Sequence, residues 1–203
     1  MKTKVLSSIL MICAIISVQF SCTDDKPSET EKLKHELENL SGTYRDLTPY
    51  AYGEAYGQRV FSFDNGKWTL KFTLALDPEM KFQVFQFRTF GSYKITTPST
   101  VILQAYNAEF EEKRKFLTLK TDNVELVKAL GLDNCDLVLN EEKDISISGC
   151  SLWKPVSECP VDYDLVTLDE KGLLYFGERP SDNDMCSSSK RPTKLTPGVA
   201  PVN

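Results

Sequence analysis

A single histidine, His35, stands in the 203 residues, and it lies in a short N-terminal segment apart from the main apolar pattern. With the one imidazole placed in the N-terminal helix, outside the predicted sheet, histidine-based triads are excluded and general acid–base work has few agents. The chain also lacks a Gly-x-Ser-x-Gly elbow, a Gly-rich phosphate loop and a His-Glu-x-x-His pair. Those absences remove the common hydrolase, nucleotide-binding and zinc-peptidase signatures. Basic residues are in the minority, with 24 Lys and Arg against 29 Asp and Glu and a formal charge of −5. An acidic chain without a basic, aromatic-interleaved patch has no electrostatic pull on nucleic acid. No cofactor and no nucleic-acid partner is expected.

Carboxylates are the one remaining source of catalysis. Asp162 and Asp164 would project from one strand face, and Glu141 and Glu142 are adjacent. Such pairs are common on solvated edges, so the reading is non-catalytic. Asp182-Asn183-Asp184 could begin a calcium loop, but the other ligands are not in register. It reads as a solvated turn, and no metal is expected.

Long apolar runs are absent except at the start. Lys2 and Lys4 precede an apolar stretch from Val5 to Phe20, shorter than the roughly 18 residues of a membrane span. Residues 1–21 therefore read as an export signal. Ser21 then precedes Cys22, the arrangement that precedes diacylation of a lipoprotein cysteine, although Gln19 stands where an aliphatic residue is usual. The alternative is ordinary cleavage with Cys22 left as a free thiol. Thr23 to Glu29 is polar, contains Pro27, and reads as a tether. A cysteine followed closely by Asp24 and Asp25 resembles a surface-export signal of some Gram-negative lipoproteins. The expected location is the bacterial outer membrane, held through the Cys22 lipid and surface-exposed, with a periplasm-facing orientation as the alternative. Loss of Lys2 and Lys4 with the signal takes the formal charge from −5 to −7.

Cysteine use agrees with export. Cys135, Cys150, Cys159 and Cys186 remain after Cys13 and Cys22 are set aside. An even number in a secreted domain favours disulfides, with three connectivities open. Cys135–Cys150 and Cys159–Cys186 are preferred because each closes a local loop. A loop of about 15 residues contributes roughly 3 kcal/mol in the chain-entropy account. A zinc site would want a close Cys-x-x-Cys pair or a histidine near the cysteines, and the sequence has neither.

The spacing predicts a helix over 28–41, with Ser28 and Glu31 as a capping box, Leu33, Leu37 and Leu40 on one stripe, and Gly42 at its end. After Gly42 the period changes to two. Strands are expected at 44–47, 58–64, 67–76, 80–90, 92–96, 100–106, 116–119, around Ile145 and Ile147, at 163–168 and at 173–176. Asn65-Gly66 makes a tight hairpin turn. Glu111 to Lys115 reads as a solvated hairpin tip, and Asp122 to Leu130 as a second short helix. Residues 22–41 form tether and helix, 42–196 one β domain, and 197–203 a disordered tail. One-sided apolar strands must stack as two sheets or curl into a barrel, and alternation alone does not choose. Trp68, Leu70, Phe72, Leu74 and Leu76 share one strand face, and Phe82, Val84 and Phe87 follow. These eight are either core or the wall of a ligand cavity.

The run Leu-Tyr-Phe-Gly-Glu-Arg-Pro-Ser-Asp at 174–182, with Arg191 and Thr193 shortly after, resembles the adenomatosis polyposis coli down-regulated domain family. The likeness is closest over residues 122–196 and carries Gly177, Glu178, Arg179, Pro180, Asp182, Arg191 and Thr193 as its motif. The chain lacks the cysteine that the family has in its early hairpins. The resemblance implies a mainly β fold, a single curled antiparallel sheet as a half-barrel or lipocalin-like barrel, with one or two short helices. It also implies an apolar pocket for a lipid chain. Arg179 is expected to need a partner, with Glu178, Asp182 or an aromatic face as candidates. The expected function is non-catalytic binding of a lipid or other hydrophobic ligand in the concave face. The alternative is an envelope interaction or assembly lipoprotein with a filled core, and less so a carboxylate-dependent glycan hydrolase.

Overall fold

The computed structural model describes residues 28–202, so the expected export signal at 1–21, Cys22 and the expected tether before Ser28 lie outside the described residues. The elements are α1 (Glu29–Glu38), β1 (Gly42–Asp46), β2 (Tyr50–Tyr52), β3 (Ala55–Asp64), β4 (Lys67–Ala75), β5 (Gln83–Pro98), β6 (Tyr106–Glu111) and β7 (Arg114–Leu119). They continue as α2 (Val124–Ala129), β8 (Glu142–Asp144), β9 (Val161–Leu168), β10 (Leu174–Phe176), a 3-10 turn at Ser188–Lys190, and β11 (Val199–Pro201). Eight strands close into an antiparallel barrel in the order β1, β3, β4, β5, β6, β9, β10, β11 and back to β1. The mainly β curled sheet with two helices is thus a full barrel, and the stacked-sheet arrangement is excluded.

Closure follows from side-chain alternation. On β3, Gly57, Arg59, Phe61 and Phe63 are buried while their neighbours are not. Asn65 and Gly66 both take positive φ, 49° and 73°, which matches the twist of the β3–β4 hairpin. Val199 at 0% exposure joins β1 to β10. Within the expected disordered tail, Val199–Pro201 is therefore an ordered strand. Pro201 is tolerated because it ends its strand.

β5 is sixteen residues long and changes partner along one edge. Its first half pairs with β7 and its second with β6. There Gly91 and Ser92 face Glu111, Glu112 and Lys113, so β6 and β7 are two halves of one strand broken by a bulge. A Cβ on Gly91 would stand 1.8 Å from the Glu111 carbonyl oxygen, which is why a glycine is needed. The expected solvated tip at 111–115 is corrected accordingly: Glu112 and Lys115 are each only 3% exposed. The bulge turns them inward.

Above the bulge, β6 continues into the barrel through β9. Below it, β7 pairs with β8, and the disulfide-bearing segment covers that face. Both disulfides have the preferred connectivity, Cys135–Cys150 and Cys159–Cys186.

Three further expectations shift. Residues 100–105 form a loop, not a strand, because Ser99 Oγ accepts the Val101 and Ile102 amides and turns the chain. The second helix starts at Val124 rather than Asp122, with Asn123 as its cap. Ile145 is buried and Ile147 is 93% exposed, so β8 ends before them.

Helix α1 belongs to the barrel. Ser28 Oγ accepts the Glu31 amide at 3.2 Å, and Glu31 accepts the Ser28 amide at 2.9 Å. A helix this short is marginal alone, so docking must hold it. Leu37 is fully buried and Leu40 is 5% exposed, both in the main core. Tyr106 Oη donates to Thr30 O at 2.8 Å, and Tyr93 Oη joins Leu40 N and Glu38 O at 3.1 and 3.2 Å. The domain therefore begins at α1, not at residue 42. Burial of one leucine contributes about 1.5–3 kcal/mol.

Candidate functional site

The apolar wall read from the sequence does not form one surface. Trp68 and Leu70 belong to the upper core under α1, and Leu74, Val84 and Phe87 to a second core beneath the disulfide segment. Phe72 bridges the two. Leu76 and Phe82 are outside altogether, 51% and 68% exposed. The cause is an irregularity in the β4–β5 ladder after Leu74, which ends the shared face.

Rings occupy the upper lumen. Phe61 stacks on Phe176 at 4.0 Å, Trp68 meets Phe110 edge-on at 4.9 Å, and Phe63 meets Tyr93 at 5.3 Å.

Below the rings lies a layer of buried charge. Register places Asp162, Asp164 and Val166 opposite Phe110, Ala108 and Tyr106, so both aspartates face inward. Asp46 and Arg59, at 3% and 5% exposure, form a two-pronged pair, Nη2 to Oδ1 at 2.6 Å and Nε to Oδ2 at 3.1 Å. Arg59 also donates to Thr196 Oγ1 and to the Pro197 carbonyl, and its guanidinium lies 4.6 Å from the Tyr50 ring centre. Burial pushes the Tyr50 hydroxyl up to about 12. Lys115 Nζ meets Glu112 Oε2 at 2.5 Å and donates to the carbonyls of Lys154 and Cys159 at 3.1 and 3.3 Å.

The motif residues attach to this layer. Arg179 pairs with Asp162 and donates to Asn183 Oδ1 at 2.7 Å. Its partner is thus neither Glu178, which is exposed, nor Asp182, which faces Lys190. Gly177 donates its amide to Asp164 Oδ1 at 2.9 Å. Arg191 donates to the carbonyls of Ala108 and Asp164. Pro180 begins the turn to Asn183, and Thr193 is exposed. Burial raises Asp164 to about 7, against the lowering effect of the Leu165 and Gly177 amides.

No comparison with family models or with curated proteins gives a match to this chain.

The layer's chemistry is therefore read from its own atoms. Asp162 is closed by Arg179 and Glu112 by Lys115, so neither presents a free base. The crevice beside them, against Trp153 and the Cys159–Cys186 bridge, measures about 20 Å³, room for roughly one water. Cys159, Asp162 and Cys186 have ligand atoms within 4.8 Å of one another, but both sulfurs are in the disulfide and offer no thiolate. In the 182–184 turn, Asp184 meets Lys154 at 2.7 Å and also pairs with Lys190, which hold its carboxyl well below the usual range. Cations already occupy those oxygens.

A roomier cleft, about 470 Å³, opens at the β4–β5 end. Leu76, Phe82, Val84 and Leu126 meet Lys81 and Lys120 there. Near it Val124 and Leu139 are also exposed, at 76% and 42%.

Sequence reasoning missed Arg59, Asp46, Glu112 and Lys115. The signal was present in the alternation: Gly57-Arg59-Phe61-Phe63 puts an arginine on the apolar face, and Tyr106-Ala108-Phe110-Glu112 does the same for a glutamate.

Proposed function

We propose that the protein is an outer-membrane lipoprotein, acylated at Cys22, whose barrel is a rigid, non-catalytic interaction module. The carrying observation is the filled lumen: aromatic rings and α1 occupy its upper half, and paired charges occupy its lower half. A barrel packed in this way can engage a partner only through its outside. The β4–β5 end offers exposed apolar side chains beside a cleft, a common make-up for a contact surface. Among the described residues no helix is long and apolar enough to cross a membrane, which suits attachment by a lipid. A photo-crosslinking residue in place of Phe82, in cells, should yield a discrete adduct with an envelope protein. Absence of any adduct there, together with a co-purified lipid, would defeat this reading.

A second reading keeps the hydrophobic-ligand role that the family resemblance implies. It is favoured by one observation: Leu33 and Leu37 of a short helix, with Leu40 just past its end, cover the apolar half of the lumen. An acyl chain would have to displace them. Native mass spectrometry with fatty acids tests it, since a stoichiometric complex requires that displacement.

A further inference from the structure

The hairpin between β5 and β6 has an unusual tip. Val101, Ile102 and Leu103 stand at its turn, with Val101 56% and Leu103 91% exposed. Neither core cluster includes them. Turn tips normally carry polar residues, yet no Asp, Glu, Lys, Arg or His occurs between Lys94 and Glu109, in a chain that is 26% charged. The loop is also held in shape. Ser99 Oγ accepts two amides, Ser99 N donates to Ala105 O at 2.8 Å, and Thr167 Oγ1 donates to Gln104 O at 2.6 Å. The apolar side chains are presented by a fixed loop.

Its position says what covers it. Tyr106, at the base of the hairpin, donates to Thr30 in the first turn of α1. The chain leading back to Cys22 leaves from that turn. Between Cys22 and Ser28 the chain can span at most about 20 Å. An anchor at Cys22 therefore keeps the tip close to the bilayer. The exposed Phe82 is at the other end of β5, sixteen residues of strand away, which is about 50 Å of extended chain.

We propose that Val101–Leu103 is a membrane wedge that inserts among the lipid headgroups and stands the barrel with its α1 end on the bilayer. The inference rests on the proposed anchor at Cys22. Three side chains alone would bind a membrane weakly, but a short tether raises their effective concentration at the surface. An uncharged tip avoids the cost of carrying ions into that layer.

The test uses the chain from Cys22 onward, coupled through the Cys22 thiol to a maleimide-headgroup lipid in phosphatidylcholine vesicles. Leu103→Trp and Phe82→Trp are compared with the parent, and the added emission is challenged with chain-brominated phosphatidylcholine. Quenching of the position-103 signal by about twofold or more with a blue shift, and none at position 82, is expected. Unquenched emission at 103, or quenching at 82 instead, overturns the wedge. Because coupling is chemical, that result is independent of native acylation, which the intact mass of envelope-purified protein reports separately.

Discussion

Asp164 Oδ1 accepts the Gly177 amide at 2.9 Å, and a Cβ at Gly177 would come within 2.4 Å of that same oxygen. The β10 strand end and β9 thus meet where only a glycine fits, with Pro192 2.5 Å away on the same side. Gly177→Ala should destabilise the fold by about 1–3 kcal/mol through overpacking. Urea unfolding measures it, and an unchanged midpoint would mean that the contact yields freely.

Asp164 also predicts a pH dependence. Its folded-state value, about 7, lies above the ordinary 3.8 because of burial. Between these values the unfolded chain has lost the proton and the folded chain keeps it. Stability from this group therefore falls as pH rises from about 4 to about 7 and is level above that. Asp164→Asn should gain on the parent in thermal midpoint as pH rises from 5 to 7.5. A constant difference between the two across that range would refute the assignment.

The Asp46–Arg59 pair is buried on both sides. Removing one partner leaves an uncompensated charge, so Arg59→Met should cost about 3–5 kcal/mol. The double substitution Asp46→Leu/Arg59→Met should cost less than the sum of the singles. Additive losses in a denaturation double-mutant cycle would show that the two groups act independently.

The disulfides close loops of 15 and 27 residues. Loss of Cys135–Cys150 by paired serine substitution should lower stability by roughly 3 kcal/mol. The effect should centre on the lower core, because Cys150 packs with Leu132 and Ile145 there. Hydrogen exchange reads this directly: faster exchange in residues 130–150 with β1, β3 and β11 unchanged is the expected pattern.

Much of the architecture was legible. Ser28, Glu31 and the Leu33-Leu37-Leu40 stripe announce α1, Asn65-Gly66 announces a hairpin, and the four cysteines pair by proximity in sequence. Three things were not legible, each for a physical reason. The β6–β7 bulge depends on Gly91 meeting the Glu111 backbone from another strand. Arg179 could have paired with any nearby acid, and only sheet register selects Asp162. Val199 to Pro201 resembles a loose end until closure of the barrel supplies partners on both sides. The eight candidate wall residues were readable as apolar, but not as five divided between two cores, Phe72 bridging them, and Leu76 and Phe82 left outside. Local alternation does not report where a sheet changes partner.

The most direct measurement is native mass spectrometry of the full chain purified from its own envelope, for the parent and for Leu37→Ala. Leu37 is fully buried, and its truncation should loosen α1 at a cost of about 2–5 kcal/mol. A lumen filled by the protein's own side chains predicts a parent that carries covalent acyl mass and no bound amphiphile. A parent that arrives with one non-covalent lipid per chain would contradict the filled barrel, and the outside-only mode of binding would fall with it.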